Sequence, residues 1–132
     1  VMSPVSHYGR DAMVGVALFL SNLAHKNLKV SEYKATLPQY FIAKNKIELS
    51  DSSLIDRILE TVKSRFSEED INTIDGVKIS FESTRRWVHL RRSNTEPIIR
   101  IYAEAPTEAE ASALAEEVIN IAKSCFHSEQ AR

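Results

Sequence analysis

The sequence predicts an α+β fold, a mainly antiparallel four-stranded sheet with two helices on one face and an additional helix ahead of it. Three observations predict it. Val77, Ile79 and Phe81, then Val88 and Leu90, then Ile99, Ile101 and Ala103 keep the two-residue period of a half-buried strand. Leu54, Ile55, Ile58, Leu59, Val62 and Phe66 recur at three- and four-residue spacing, as do Ala111, Leu114, Val118, Ile121 and Cys125, which is the period of a helix with one packed stripe. The order strand, helix, three strands, helix places both helices on one face of an antiparallel meander and leaves the other face for a partner.

Taken in order, Asp11 caps a first helix running to about His25. Its residues Ala12, Val14, Val16, Ala17, Leu18, Phe19, Leu20 and Leu23 are apolar nearly all round, so it calls for burial on several sides. Ser31 caps a short helical turn that ends before Pro38, since a residue preceding proline is biased out of the α region. A domain boundary is expected there, dividing 1–37 from 38–132. The segment from Gln39 to Leu49 reads as the first strand, and Ser52 or Ser53 opens the helix of the Leu54 stripe. The three alternating strands follow. Thr107 and Glu110, at capping-box spacing, start the last helix.

The 132 residues suit one domain with a short piece of another, and 43% hydrophobic content is enough for a core. With 17 basic and 18 acidic residues the net charge is −1, which gives no general attraction to nucleic acid or an anionic membrane. The lone Cys125 excludes an internal disulfide and fits a reducing, cytoplasmic compartment. The apolar run from Ala12 to Leu20 is short of the about 20 residues a spanning helix needs, so no membrane is expected as partner. A first residue that is not methionine, Val1, reads as a cut from a longer chain.

Positive charge is concentrated locally. Five arginines fall between Arg85 and Arg100, whereas Glu104, Glu108, Glu110, Glu116 and Glu117 follow with no Lys or Arg before Lys123. Within that basic stretch lies the exposed turn Ser93-Asn94-Thr95-Glu96, whose hydroxyls, amide and backbone N–H groups suit an anion. Arg91 enters the turn and Arg100 leaves it, and either supplies a planar fork for phosphate oxygens. A merely solvated hairpin carries the same composition. A nucleic-acid module is the alternative from another class, because Arg85, Arg86, Trp87, His89, Arg91 and Arg92 interleave charge and aromatic. The acidic last helix and near-neutral charge weigh against it. His7, His25, His89 and His127 have no metal-ligand spacing. Trp87 shares a strand face with His89 and Arg91, where it covers a sheet edge, contacts a neighbouring domain or stacks on a sugar.

The stretch Arg91-Arg92-Ser93-Asn94-Thr95-Glu96-Pro97, followed by Arg100 and Glu104, resembles the phosphate-binding loop of the α-D-phosphohexomutases. Asp75-Gly76-Val77-Lys78 resembles the turn opening the central strands of their fourth domain, and Gly9-Arg10-Asp11-Ala12 with the helix behind it resembles the end of their third. The resemblance implies that 1–37 ends the third domain and 38–132 is the fourth, C-terminal domain. It implies substrate phosphate binding by Arg91, Ser93, Asn94, Thr95 and Arg100, with the other three domains of the enzyme and a hexose phosphate as partners. The full-length enzyme would be an isomerase that interconverts hexose 1- and 6-phosphates through a bisphosphate and uses Mg2+. The family's phosphate-carrying serine, magnesium loop and sugar loop have no counterpart in this chain, so it is expected to bind no metal and to be inactive alone, and its apolar first helix leaves it open to self-association. Phosphoglucosamine mutase, phosphomannomutase and phosphoglucomutase all remain open.

Overall fold

A computed structural model describes residues 2–5, 8–49 and 53–127. The chain divides into two compact units, Val1–Pro38 and Gln39–Arg132.

In the first unit, α1 (Ala12–Lys26) starts where Asp11 Oδ1 accepts the Val14 N–H at 3.0 Å and stops where Asn27 turns left-handed at φ 51°. It is tied to α2 (Val30–Ala35) by an Asn22 Nδ2–H donation to the Tyr33 hydroxyl, 2.7 Å, and by an edge-on contact of the Phe19 and Tyr33 rings. Ser31, expected as the cap of α2, lies inside its first turn. Lys29 takes the cap position because the Glu32 carboxylate reaches back to the Lys29 N–H at 2.7 Å. Much of the apolar surface of α1 is not covered within this unit: Met13, Val16, Leu18, Phe19 and Leu20 are all exposed.

The second unit is a five-stranded antiparallel sheet ordered β1-β5-β4-β3-β2, formed by β1 (Phe41–Glu48), β2 (Asp70–Asn72), β3 (Val77–Phe81), β4 (Arg86–Arg92) and β5 (Ile98–Ala105). The expected four strands become five. β2 has three residues with Ile71 alone apolar, too few for a period to show, and it exists because a tight turn folds it back on β3. Two helices, α3 (Leu54–Arg65) and α4 (Glu108–His127), pack on one face. Ser53 stands at the N-cap of α3, while Ser52 lies outside the described residues. At the start of α4, Thr107 and Glu110 form the expected pair, with the Thr107 hydroxyl 2.7 Å from Glu110 Oε2.

Register decides which residues share a face. Ile79 sits opposite Val88, Val88 opposite Ala103 and Leu90 opposite Ile101, and these buried side chains meet Ile55, Ile58 and Val62 of α3 and Leu114, Val118 and Cys125 of α4. The alternate residues, Lys78, Trp87, His89, Arg91, Arg100, Tyr102 and Glu104, occupy the face away from the helices. There Trp87 Nε1–H donates to Glu104 Oε1 at 2.9 Å, and the Lys78 ammonium lies 4.8 Å from the Trp87 ring centre. Among the described residues no helix is long and apolar enough to cross a membrane.

Candidate functional site

The link from β4 to β5 is built by its own hydrogen bonds. Ser93 N–H donates to the Ile98 carbonyl at 3.0 Å, Ile98 N–H to the Glu96 carbonyl at 2.8 Å, and Leu49 N–H to the Pro97 carbonyl at 2.9 Å, which pins the loop to the end of β1. Pro97 gives no N–H to a ladder, so strand pairing resumes only after it. Ser93 is buried, with 8% of its surface exposed, contrary to the expectation of a wholly exposed turn. Its side chain tucks under the loop, and its hydroxyl lies 3.5 Å from both the Thr95 hydroxyl and the Thr95 N–H. The Ser93 backbone donor is therefore spent internally. The hydroxyls, the Asn94 amide, the guanidinium groups and the other N–H groups of the turn are the donors it can offer a ligand.

All five expected residues, Arg91, Ser93, Asn94, Thr95 and Arg100, line one cavity of about 200 Å³, together with Arg92. A larger, shallower concavity of about 540 Å³ continues from the same loop to Ile55 at the start of α3, lined also by Arg92, Glu96 and Pro97. Arg91 and Arg100 are directly opposed in the β4–β5 ladder, and Lys46 is opposed to Arg100 on β1. Three cations thus form a row across three strands, although like charges directly opposite weaken a sheet. Two carboxylates temper them: Asp75 Oδ1 lies 3.1 Å from Arg91 Nε, and Glu48 Oε1 lies 2.7 Å from Lys46 Nζ. The Glu48 hydrogen bond and charge raise the Lys46 pKa above its ordinary value, and the Lys46 hydrogen bond and charge lower that of Glu48.

Sequence reasoning placed Arg92 and Glu96 in the loop and Asp75 in a turn without giving them a binding role, and it left Ile55 out of the site. Arg92 had a signal, its place directly before Ser93. Asp75 is 16 positions from Arg91 in the chain, and only the sheet brings them together. Register places the ribbon's residues on both faces of the sheet, with Arg91 and Arg92 meeting only at the loop cavity: Trp87, His89 and Arg91 face away from the helices, while Arg86 pairs with buried Phe81 and lies 5.5 Å from its ring, and Arg92 pairs with buried Ile99. Among the described residues no three His, Cys, Asp or Glu side chains gather as a metal ion requires.

A family model for the phosphoglucomutase/phosphomannomutase C-terminal domain matches residues 27–121. A phosphoglucosamine/phosphogalactosamine mutase of Sulfurisphaera tokodaii is 37% identical over 91% of this chain and 26% of its own length. A phosphoglucomutase/phosphomannomutase of Thermococcus kodakarensis is 34% identical over 84% of this chain and 24% of its own. The chain thus spans about a quarter of the length of these relatives. The crystal structure of Aspergillus fumigatus N-acetylphosphoglucosamine mutase in complex with GlcNAc-6P and magnesium superposes with a TM-score of 0.54 over 87% of this chain and 21% of its own, at 22% identity, a likeness of fold. The strand order, the Arg-Ser-Asn-Thr loop and the match over 27–121 lead to one conclusion: the chain belongs to the phosphoglucomutase/phosphomannomutase family and carries its C-terminal domain.

Proposed function

We propose that this domain holds the non-reacting phosphate of a hexose phosphate, in a whole protein that interconverts hexose 1- and 6-phosphates through a bisphosphate. One observation carries the reading: six residues from two strands and their connecting loop, three of them arginines, converge on a single cavity of about 200 Å³. Arg91 and Arg100 supply charge-assisted contacts to phosphate oxygens, Ser93 and Thr95 supply hydroxyls, and Asn94 supplies its amide. A hydrogen bond to a charged group contributes about 1.5–3 kcal/mol, and exposed guanidinium groups fall at the lower end or below. Several together fix the orientation of the substrate, which is what a domain without reacting groups adds to catalysis.

Such a clamp recognises a tetrahedral dianion and leaves the sugar unread. That suits a bisphosphate that turns over, since either phosphate must fit the same clamp. It also suits a family whose members are named for glucosamine, galactosamine, glucose and mannose phosphates. In this reading 1–37 ends the third domain, 38–132 is the fourth, and the reacting groups belong to the rest of the protein. The magnesium implied by the family has no ligand set among the described residues, so no step of the reading passes through it.

Titrating the chain with glucosamine 6-phosphate and mannose 1-phosphate, followed by NMR, tests this. Resonances of 91–95 and 100 should move with both ligands at similar concentrations, and no interconversion should occur. Ligand-induced shifts elsewhere, with those resonances fixed, would overturn the assignment.

A further inference from the structure

Asp75 sits in the four-residue turn 73–76 between β2 and β3, and that turn is fastened on several sides. Asn72 Oδ1 accepts the Ile74 N–H at 2.9 Å. His89 Nε2 lies 2.5 Å from the Asp75 carbonyl oxygen, which only accepts, so Nε2 carries a proton. Gly76, at φ 86°, presses the turn so closely on β4 that a Cβ there would stand 2.1 Å from the Leu90 carbonyl oxygen and 3.2 Å from Arg91 Cα. The carboxylate held by this turn meets Arg91 at Nε, 3.1 Å away.

A guanidinium has five N–H donors, and Nε carries one of them. An acceptor on Nε leaves both terminal nitrogens for a tetrahedral anion while restricting a long side chain that would otherwise sample many rotamers. We infer that Asp75 is a positioning residue of the anion site: it holds Arg91 by Nε and presents the terminal fork to the loop cavity. The inference rests on the phosphate-binding reading of that cavity. A negative charge beside an anion site also repels the anion, so two effects of opposite sign compete. The Asp75 and Arg91 side chains are 57% and 49% exposed, which screens the longer-range repulsion, whereas the direct contact orders the group that binds. Ordering is the effect that prevails.

The competition sets the test. Inorganic phosphate is titrated into the chain and into Asp75→Asn, Asp75→Ala, Arg91→Ala and the Arg91→Ala/Asp75→Ala double variant, with the Arg91 Nε–H resonance and the melting temperature recorded. Asparagine keeps an acceptor oxygen and loses the charge. Affinity should fall in the order wild type, Asp75→Asn, Asp75→Ala, by about two- to fivefold in all, the size of one exposed charged pair. The Arg91 Nε–H should lose its protection from exchange, and Asp75→Ala should weaken nothing further once Arg91 is gone. Tighter or unchanged binding in Asp75→Ala, with Arg91→Ala weakened, overturns the positioning role and leaves the clamp standing. Unchanged binding in Arg91→Ala overturns both. If Asp75→Ala melts too low to titrate, Asp75→Asn carries the same comparison.

Discussion

Arg91 and Arg100 stand directly opposite each other in the β4–β5 ladder. Without an anion between them this pairing opposes folding, and in the proposed reading an anion would turn it into a clamp. Arg100→Ala should therefore leave the melting temperature unchanged or raise it slightly, while weakening phosphate binding and, in the whole protein, lowering kcat/KM. Arg91→Ala also forfeits the Asp75 contact, so its stability should stay within about 0.5 kcal/mol of wild type, as at most surface sites. Arg91→Lys should recover only part of the affinity, because an ammonium presents no fork. Thermal melts and turnover of the three variants decide the matter; a melt many degrees lower with normal turnover would make either arginine structural.

Ser93→Ala should be milder. The backbone bond from Ser93 to Ile98 survives the change, and the hydroxyl's contacts within the loop are both 3.5 Å, long for hydrogen bonds. Stability should change by less than about 1 kcal/mol. Phosphate affinity should drop less than in Arg91→Ala, and an equal or larger drop would make this hydroxyl the principal donor.

Gly76→Ala should destabilise by more than about 1 kcal/mol, since φ 86° disfavours any side chain and the nearest atom to the new methyl would be rigid backbone. Denaturant unfolding measures it. Because the turn carries Asp75, the residual folded protein should also bind phosphate more weakly, and undiminished binding would contradict the link between turn and site.

Ile55 is 1% exposed, belongs to the core and lines the larger loop concavity. Ile55→Ala should cost about 2–5 kcal/mol in denaturant unfolding. It should also loosen the loop, visible as faster amide exchange at 93–96. A loss below about 1 kcal/mol would show that the start of α3 packs loosely there.

The Lys46–Glu48 pair gives a pH signature. The Glu48 pKa is lowered, so its contribution is complete above the ordinary glutamate value of about 4.3 and fades as pH falls through the lowered value; the Lys46 pKa is raised, so its contribution is complete below about 10.4 and fades as pH rises through the raised value. The gap in melting temperature between wild type and Glu48→Gln should therefore be level in between and close at acid pH. A gap that persists at pH 2 would point to another role for the carboxylate.

Period-two and period-3.6 patterns in the sequence determined β3, β4, β5, α3 and α4, because burial of one face forces that spacing on any sequence that folds this way. Turn chemistry and the Arg-Ser-Asn-Thr order likewise pointed to the residues that line one cavity, the proposed anion site, since those groups are neighbours in the chain. Tertiary structure decided what chain-local reasoning does not reach. β2 is too short to carry a period and exists only by pairing with β3. Ser93 is buried because Ile98 and β1 fold the loop over it, and the arginines of β4 divide between faces according to register. The row of Lys46, Arg100 and Arg91, and the hold of Asp75 on Arg91, join residues from separate strands and a distant turn. Such relations depend on strand order, and strand order is set by the packing of the whole sheet against its two helices, not by the residues that come to face each other.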